Sequence, residues 1–435
     1  MGDAAYHGLV GDVVRAIEPQ TEADPHAILV QALVAFGNVI GRGPRFAVEA
    51  DEHSAALFAL VVGESSKARK GTSLSYIRRT IQTADSDYVA RRVVGGLSSG
   101  EGLVWAVRDA STKMVQPKRK GGDEESAFDE WVEETTDPGV EDKRLLVLES
   151  EFAQAFKVMA RPGNTLSPAL RGLWDHGTAG MLTKHDPTKA TNAHVSVIGH
   201  ITRDELRRLM DATEQANGFA NRFLFCCARR SKLLPHGGNF QLDTGLAFEL
   251  AQAVGVADAV SRGGPLKRDA GADALWEREY ARLSDGAPGL LGAITSRAEA
   301  QVMRLALLYA ALDGSASITE PHLAAALEVW RYCEDSARYV FGDATGDPVA
   351  DEILTALRTA GAAGMTRTEI RDLFSRHRGD RVGGALAALA AADLATCSDE
   401  ATRGRPVQRW YADAFSAATK ATKATKAPPT DPSVA

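Results

Sequence analysis

The chain has 435 residues, 44% of them apolar and 25% charged, with a net charge of −7. That length suits two or three domains with a sizeable core, and the composition is that of ordinary soluble proteins. The acidic balance excludes nucleic-acid binding through global charge, so any such contact must come from a local patch.

Four cysteines (Cys226, Cys227, Cys333 and Cys397) show no C-x-x-C spacing. This argues against a zinc site and for a reducing, intracellular compartment. The longest apolar stretch, residues 27–40, is interrupted by Gln31 and Asn38 and is too short to span a bilayer. The N-terminus has no signal-peptide pattern, so a cytoplasmic protein without membrane contact is expected.

The first 50 residues read as a helical segment. An amphipathic helix is expected over 8–17. A second, over 26–39, is announced by Thr21 and Asp24-Pro25. A short extended piece, 46–49, leads to an apolar run at 58–62 that reads as a buried strand. The strand breaks at Gly63, passes through a basic loop, and gives way to a helix after Thr72 and Ser73.

Strand, Gly-containing loop with Lys, hydroxyl residue and helix is the arrangement that holds nucleotide phosphates. Here its spacing is irregular. Counted from Gly63 against G-x-x-x-x-G-K-[ST], the second Gly position is Ala68 and the Lys position is Arg69. Lys70 falls one place late, and Gly71 separates it from Thr72 and Ser73. Lys67, Arg69 and Lys70 are the alternative cations for the terminal phosphate, and Thr72 and Ser73 the alternative Mg²⁺ ligands. A plain basic surface loop is the competing reading.

Further strands are expected at 90–96, 145–148, 194–199 and in the second half of 217–228. They alternate with helices at 103–109, 152–160, 165–175 and 203–210, which implies an α/β core with a mainly parallel sheet. Residues 117–143 are polar and increasingly acidic and read as a mobile insertion in a core spanning 51–240. Long helices are expected over 246–285 and 293–341, making 241–345 a helical subdomain. Residues 346–413 have a separate rhythm of three helices and a hairpin, the winged-helix pattern. The repetitive tail 414–435 reads as disordered.

In such a core, ATP chemistry draws residues from several strand ends. Glu149 follows the run at 145–148 and is placed to serve the Mg²⁺ shell. Glu151 and Glu101 are alternative bases for the attacking water, set against a reading as helix N-terminal or turn acids. His200 and Thr202 follow 194–199, where a γ-phosphate sensor would lie, with core histidine and helix cap as alternatives. Arg222, between aromatics in GFANRF, is the sharpest candidate for a cation supplied to a neighbouring subunit's phosphoryl group. Arg229, Arg230 and Lys232 are alternatives, Arg297 and Arg304 weaker ones, and a structural ion pair competes with them all.

Several segments occur in a telling order: TEADPHA, GNVIGRGPRF, GESSKARKGTS, GGLSSGEGL, LLVLESEFA, LRGLWDHG, SVIGHITRDEL, NGFANRFLFCCARRSKLLP and RLALLYAALD. Together they resemble the P-loop ATPase domain of uncharacterised proteins found with phage, plasmid and integrated-element primase–helicase systems. Those are relatives of the recombinase-like hexameric replicative helicases. The resemblance spans roughly residues 6–345 and implies a recombinase-like ATPase core. The resemblance implies that Gly63, Lys70 and Thr72 or Ser73 hold ATP and Mg²⁺; the reading of the residues themselves adds Lys67, Arg69, Gly71 and His200 as nucleotide-site candidates. Glu149 and Glu151 would form the second nucleotide-binding motif. That motif normally carries Asp at its metal-shell position, and this chain departs from it with Glu149. A ring-shaped homo-oligomer is implied. The resemblance includes no primase-polymerase domain, so a primase or other replication protein is a possible partner.

Between Thr366 and Trp410 eight Arg face six acidic residues, a balance of only 8 − 6 = +2. The arginines cluster as Arg376, Arg378 and Arg381 near a helix start and Arg403, Arg405 and Arg409 on the wing. Such clusters suit DNA phosphates, while protein contact is the competing use. The leading expectation is an oligomeric, ATP-driven, DNA-associated motor or replication ATPase. An ATP-controlled assembly switch and a non-hydrolysing DNA-binding regulator are the alternatives.

Overall fold

The computed structural model describes residues 1–115, 131–181, 187–210, 214, 217–260, 262, 264–286, 289–342, 347–374, 381–391, 394–400 and 407–412. The chain divides into two compact units: Met1–Gly286 with Ile294–Val340, and Ala287–Ala293 with Phe341–Ala435.

In the first unit, α1 (Gly8–Ile17) is followed by α2 (Pro25–Val39). The start of α2 is fixed by Pro25 in its first turn and by Asp24, whose side chain accepts from the His26 N–H at 3.0 Å. Nearly every residue of α2 is buried, because the sheet covers one side of it while α1 and the helix Ala298–Leu312 cover the other. Two short strands, β1 (Arg45–Val48) and β2 (Asp51–Ser54), form an antiparallel hairpin. The expected boundary at 50/51 thus falls inside one hairpin.

The central sheet is built from β3 (Phe58–Gly63), β4 (Val93–Val94), β7 (Arg144–Glu149), β10 (His194–Thr202) and β11 (Phe223–Cys227). All five run parallel, in the order β11-β3-β10-β7-β4. Hairpins β5–β6 (Ser111–Val115, Val132–Asp137) and β8–β9 (Ala179–Met181, Thr188–Ala190) lie outside it. The connecting helices are α3 (Lys70–Ala84), α4 (Ser86–Arg92), α5 (Gly100–Trp105), α6 (Ala153–Met159), α7 (Leu166–His176) and α8 (Arg203–Leu209).

Strand alternation sorts these helices onto the two faces. On β10, His200 points to Gln31 of α2. A side chain at its neighbour Gly199 would instead meet Phe152, at the start of α6. Helix α3 packs on α2, and α8 packs on α6. The chain therefore leaves β3 over one face and leaves adjacent β10 over the other. That makes the gap between the carboxyl ends of β3 and β10 the topological switch point, the place where open α/β sheets bind ligands.

Four sequence expectations change. The strand expected at 90–96 shrinks to Val93–Val94, because Asp85 caps α4 by accepting from the Tyr88 N–H at 2.9 Å. Tyr88 is itself buried and donates to Asn38. The helix expected at 103–109 instead runs from Gly100 to Trp105, capped by Ser99. The acidic half of the expected mobile insertion contains β6, paired with β5 through Lys113 opposite Glu134 and anchored by an Arg108–Asp137 ion pair. The long helices each divide in two. Thr244–Val260 and Ala270–Ser284 are separated at Gly264-Pro265, and Ala298–Leu312 and Glu320–Phe341 at Gly314, which has φ +63°.

The second unit has its own apolar core. Helices Pro348–Ala360, Arg367–Asp372 and Val382–Ala391 accompany an antiparallel sheet of β12 (Met365–Thr366), β13 (Ala395–Glu400) and β14 (Val407–Ala412), in the order β12-β14-β13. Asp347 and Thr366 cap the first two helices. Residues 116–130 of the insertion and the tail 414–435 lie outside the described residues.

Among the described residues no helix is long and apolar enough to cross a membrane. All four cysteines are free.

Candidate functional site

Gly63 ends β3 opposite Thr202 of β10, and Val62 lies opposite Cys227 of β11. The basic loop therefore opens at the switch point. Ser66–Ala68 form one 3-10 turn, and Arg69 takes a left-handed conformation (φ 58°, ψ 25°) that redirects the chain into α3. The helix starts at Lys70, earlier than the expected start after Thr72 and Ser73, which puts both hydroxyl residues in its first turn.

Gly63 is required for space. A Cβ there would lie 2.7 Å from Ala68 Cβ and 2.9 Å from Lys70 Nζ. Lys70 is half-buried and crosses to the next strand end, donating from Nζ to the Ile201 carbonyl at 3.1 Å. Burial lowers its pKa, with Glu205 opposing that shift. Arg69 turns the other way, into an ion pair with Glu22 at 2.7 Å. Lys67 is exposed.

The two hydroxyls separate clearly. Ser73 is fully buried; it donates to the Lys70 carbonyl at 2.7 Å and accepts from Gln31 at 2.6 Å. Thr72 and Gly71 are exposed. His200 is buried at the end of β10, with Nε2 3.0 Å from Gln31 Oε1. Burial, and then Lys70, lower its pKa to about 4, so it is neutral at pH 7. Thr202 forms a capping box with Glu205 on α8.

Glu149 ends β7 in register with Gly199 of β10. Its Oε1 accepts from the Gly96 and Leu97 N–H groups, both at 2.6 Å, tying the acid to the segment that follows β4. Glu101 lies four residues further along. It is exposed and accepts from the Thr165 hydroxyl at 2.8 Å. Its own backbone N–H and then that hydroxyl lower its pKa. Glu151 is exposed in the turn between β7 and α6.

Arg222 is not brought to this edge. It precedes β11, whose first residue pairs with Phe58, so it sits at the amino end of the sheet. There it is buried and bonded to Asp175 through Nε at 3.1 Å and Nη2 at 2.5 Å. Arg297 pairs with the same acid at 3.3 Å. Arg304 is fully buried, donates to the Ala56 and Trp174 carbonyls, and stacks on Trp174. Burial lowers its pKa to about 9. These three arginines occupy ion-pair and packing positions. An Arg between aromatics at a strand start marks that buried setting.

Around the loop are residues that the sequence does not single out for the site, among them Glu22 and Tyr339, together with the alternative cations Arg229, Arg230 and Lys232. Glu22 holds both Arg69 and Arg230, and the Leu234 N–H and then Arg69 lower its pKa. Lys232 pairs with Glu18, and Arg229 is exposed. Arg203 stacks on Tyr339, whose hydroxyl donates to Glu64 of the loop at 3.3 Å. The acid in TEADPHA was the available signal for Glu22; for Tyr339 local sequence offered none.

Among the described residues, His7, Asp313 and His322 bring their potential ligand atoms within 4.8 Å of one another, close enough to share a metal ion. Their hydrogen bonds define a different role. His322 Nδ1 accepts from the Thr319 N–H at 3.0 Å, so Nε2 carries the proton and donates to Asp313 Oδ2 at 3.2 Å. His7 meets the same oxygen at 2.9 Å, so the acid joins the start of α1 to the helix Glu320–Phe341.

In the second unit, Arg381 pairs with Asp347 at 3.1 Å and Arg409 with Glu400 at 3.0 Å. Arg376, Arg378, Arg403 and Arg405 lie outside the described residues.

No protein-family model matches the chain, and no curated protein matches it.

Proposed function

We propose that the first unit binds ATP with Mg²⁺ at the β3–β10 switch point and hydrolyses it, as a P-loop ATPase of the recombinase-like class. The observation that carries this reading is the placement of the Gly63–Ser73 loop. Its lysine is half-buried and directed across the crevice to the end of β10. A basic surface loop would not desolvate its lysine in this way.

The residues present fit the nucleotide. Lys70 exchanges the Ile201 carbonyl for a terminal phosphate, the start of α3 faces the phosphate chain, and Thr72 is the exposed hydroxyl available to the metal. Mg²⁺ supplies charge neutralisation at the phosphate oxygens. Glu149, held by two backbone amides, serves the metal shell, and exposed Glu151 orients the attacking water, with Glu101 as the alternative base. His200, neutral and buried beside Lys70, acts through its hydrogen bonds rather than its charge.

The arginines of the second unit are proposed to contact DNA, and the chain to work as a ring-forming, helicase-like replication ATPase in a reducing, cytoplasmic setting. Arg381 and Arg409 are ion-paired within their own unit, so DNA phosphates would have to displace Asp347 and Glu400; docking of a protein partner is the second reading for that unit. The test is an ATPase assay with and without single- and double-stranded DNA, run beside a mass measurement. Turnover stimulated by DNA supports the motor. Turnover indifferent to DNA supports the nucleotide-controlled switch, and no turnover rejects the enzyme.

A further inference from the structure

Gln31 lies on a helix that is otherwise almost entirely apolar on its buried faces, and its side chain has no solvent exposure. A buried amide at such a position is costly unless every polar end is bonded. Here both ends are used. Gln31 Oε1 accepts from His200 Nε2 at 3.0 Å. Gln31 Nε2 donates to the Ala27 carbonyl at 2.9 Å and to Ser73 Oγ at 2.6 Å. Ser73 Oγ then donates to the Lys70 carbonyl at 2.7 Å.

The donors run in one direction, from β10 through α2 to the first residue of α3. Hydrogen bonds chained in this way reinforce one another in a low-dielectric interior. Lys70 also reaches back to β10 directly, through Nζ to the Ile201 carbonyl. The strand end and the phosphate-loop helix are thus joined twice, once through the lysine side chain and once through the lysine backbone. A bound phosphate would compete for the first link and leave the second intact. Gln31 has the length to span from His200 to Ser73, which Asn lacks.

We propose that Gln31 is a positioning residue for turnover: it holds the Lys70 backbone in register with the end of β10, through Ser73, while the Lys70 side chain engages phosphate. This rests on the ATPase reading above. It assigns a working role to a residue on a helix that precedes the whole sheet.

The test is steady-state ATPase kinetics on the full chain for Gln31→Leu, Gln31→Glu, Ser73→Ala and the Gln31→Leu/Ser73→Ala pair. Nucleotide binding and thermal unfolding are measured alongside. Gln31→Glu keeps the acceptor for His200 and loses the donor to Ser73. Each single variant is expected to lower kcat about tenfold while KM moves less than about threefold, because the defect is one of alignment rather than of binding. The double variant should be no slower than the slower single one. Ser73→Ala removes one oxygen atom, so a folding failure of Gln31→Leu leaves the comparison with Gln31→Glu in place. Folded single variants with the wild-type kcat, or losses that multiply in the pair, overturn the inference and leave the ATPase reading standing. An unmodified chain that neither binds nor hydrolyses ATP overturns both.

Discussion

Ser73 and Gln31, 42 positions apart in the chain, share a fully buried hydrogen bond of 2.6 Å that takes Ser73 out of contact with solvent. This separates the two neighbouring hydroxyls of the loop, which spacing alone leaves equivalent. Thr72→Ala should raise the Mg²⁺ concentration needed for half-maximal turnover several-fold, on the order of the loss of one metal ligand. Ser73→Ala should leave that Mg²⁺ requirement unchanged. A magnesium titration of both variants checks this, and a shift confined to Ser73→Ala would reverse the assignment.

Arg222 is a stability residue on this geometry. Its side chain is 6% exposed and shares two bonds with Asp175. Arg222→Ala removes two charged hydrogen bonds from Asp175, which keeps its ion pair with Arg297 at 3.3 Å, and should cost about 2 kcal/mol. Urea unfolding measures the loss. A variant of wild-type stability that had lost turnover would return Arg222 to a catalytic role between subunits.

Stability should fall on mild acidification. Burial pushes the pKa of His200 down to about 4 and that of His194 down to about 3, against an ordinary value near 6.5. Each therefore takes up its proton in the unfolded chain first. Their contribution is fully present above about pH 6.5 and is lost as pH falls toward 4, about 3 kcal/mol for His200 alone. His194 contributes in the same sense, its Nε2 donating to the Gly37 carbonyl at 2.7 Å. Thermal midpoints between pH 7 and pH 4.5 test the direction, and His200→Gln should flatten the slope.

Much of the sheet was legible in local sequence. The runs at 58–62 and 145–148 are apolar throughout, and 194–199 is apolar apart from His194 and Ser196 and buried along its length, so all three read directly as parallel strands. Val93–Val94 was overread because a capped helix with Tyr88 buried beneath it occupies most of the same stretch. The acidic strand β6 was missed because its partner β5, rather than its own composition, holds it extended. Gly63, Lys70 and Glu149 stand out in the sequence as candidates because each closes or follows a strand. In the sequence Gln31 reads only as an interruption in an apolar run. Its meaning comes from long-range contacts with Ser73 and His200, which no local pattern encodes. For Arg222 the sequence neighbours flag an unusual cation but do not say to which edge of the sheet it belongs.

If the second unit contacts DNA, removing residues 347–435 should weaken DNA affinity, and the salt dependence of the remaining binding should become shallower as phosphate contacts are lost. Fluorescence anisotropy across a salt series measures both. Equal affinity and equal slope with and without the unit would transfer it to the protein-docking reading.

The role proposed for Lys70 is to serve a nucleotide phosphate at the β3–β10 crevice. Its most direct measurement is ATP binding and turnover by the unmodified chain, Lys70→Ala and Glu151→Gln under one set of Mg²⁺ conditions. Turnover is expected in the unmodified chain, reduced about tenfold or more in both variants, with ATP affinity lost in Lys70→Ala and retained in Glu151→Gln. Equal affinity and equal turnover in all three proteins would contradict it.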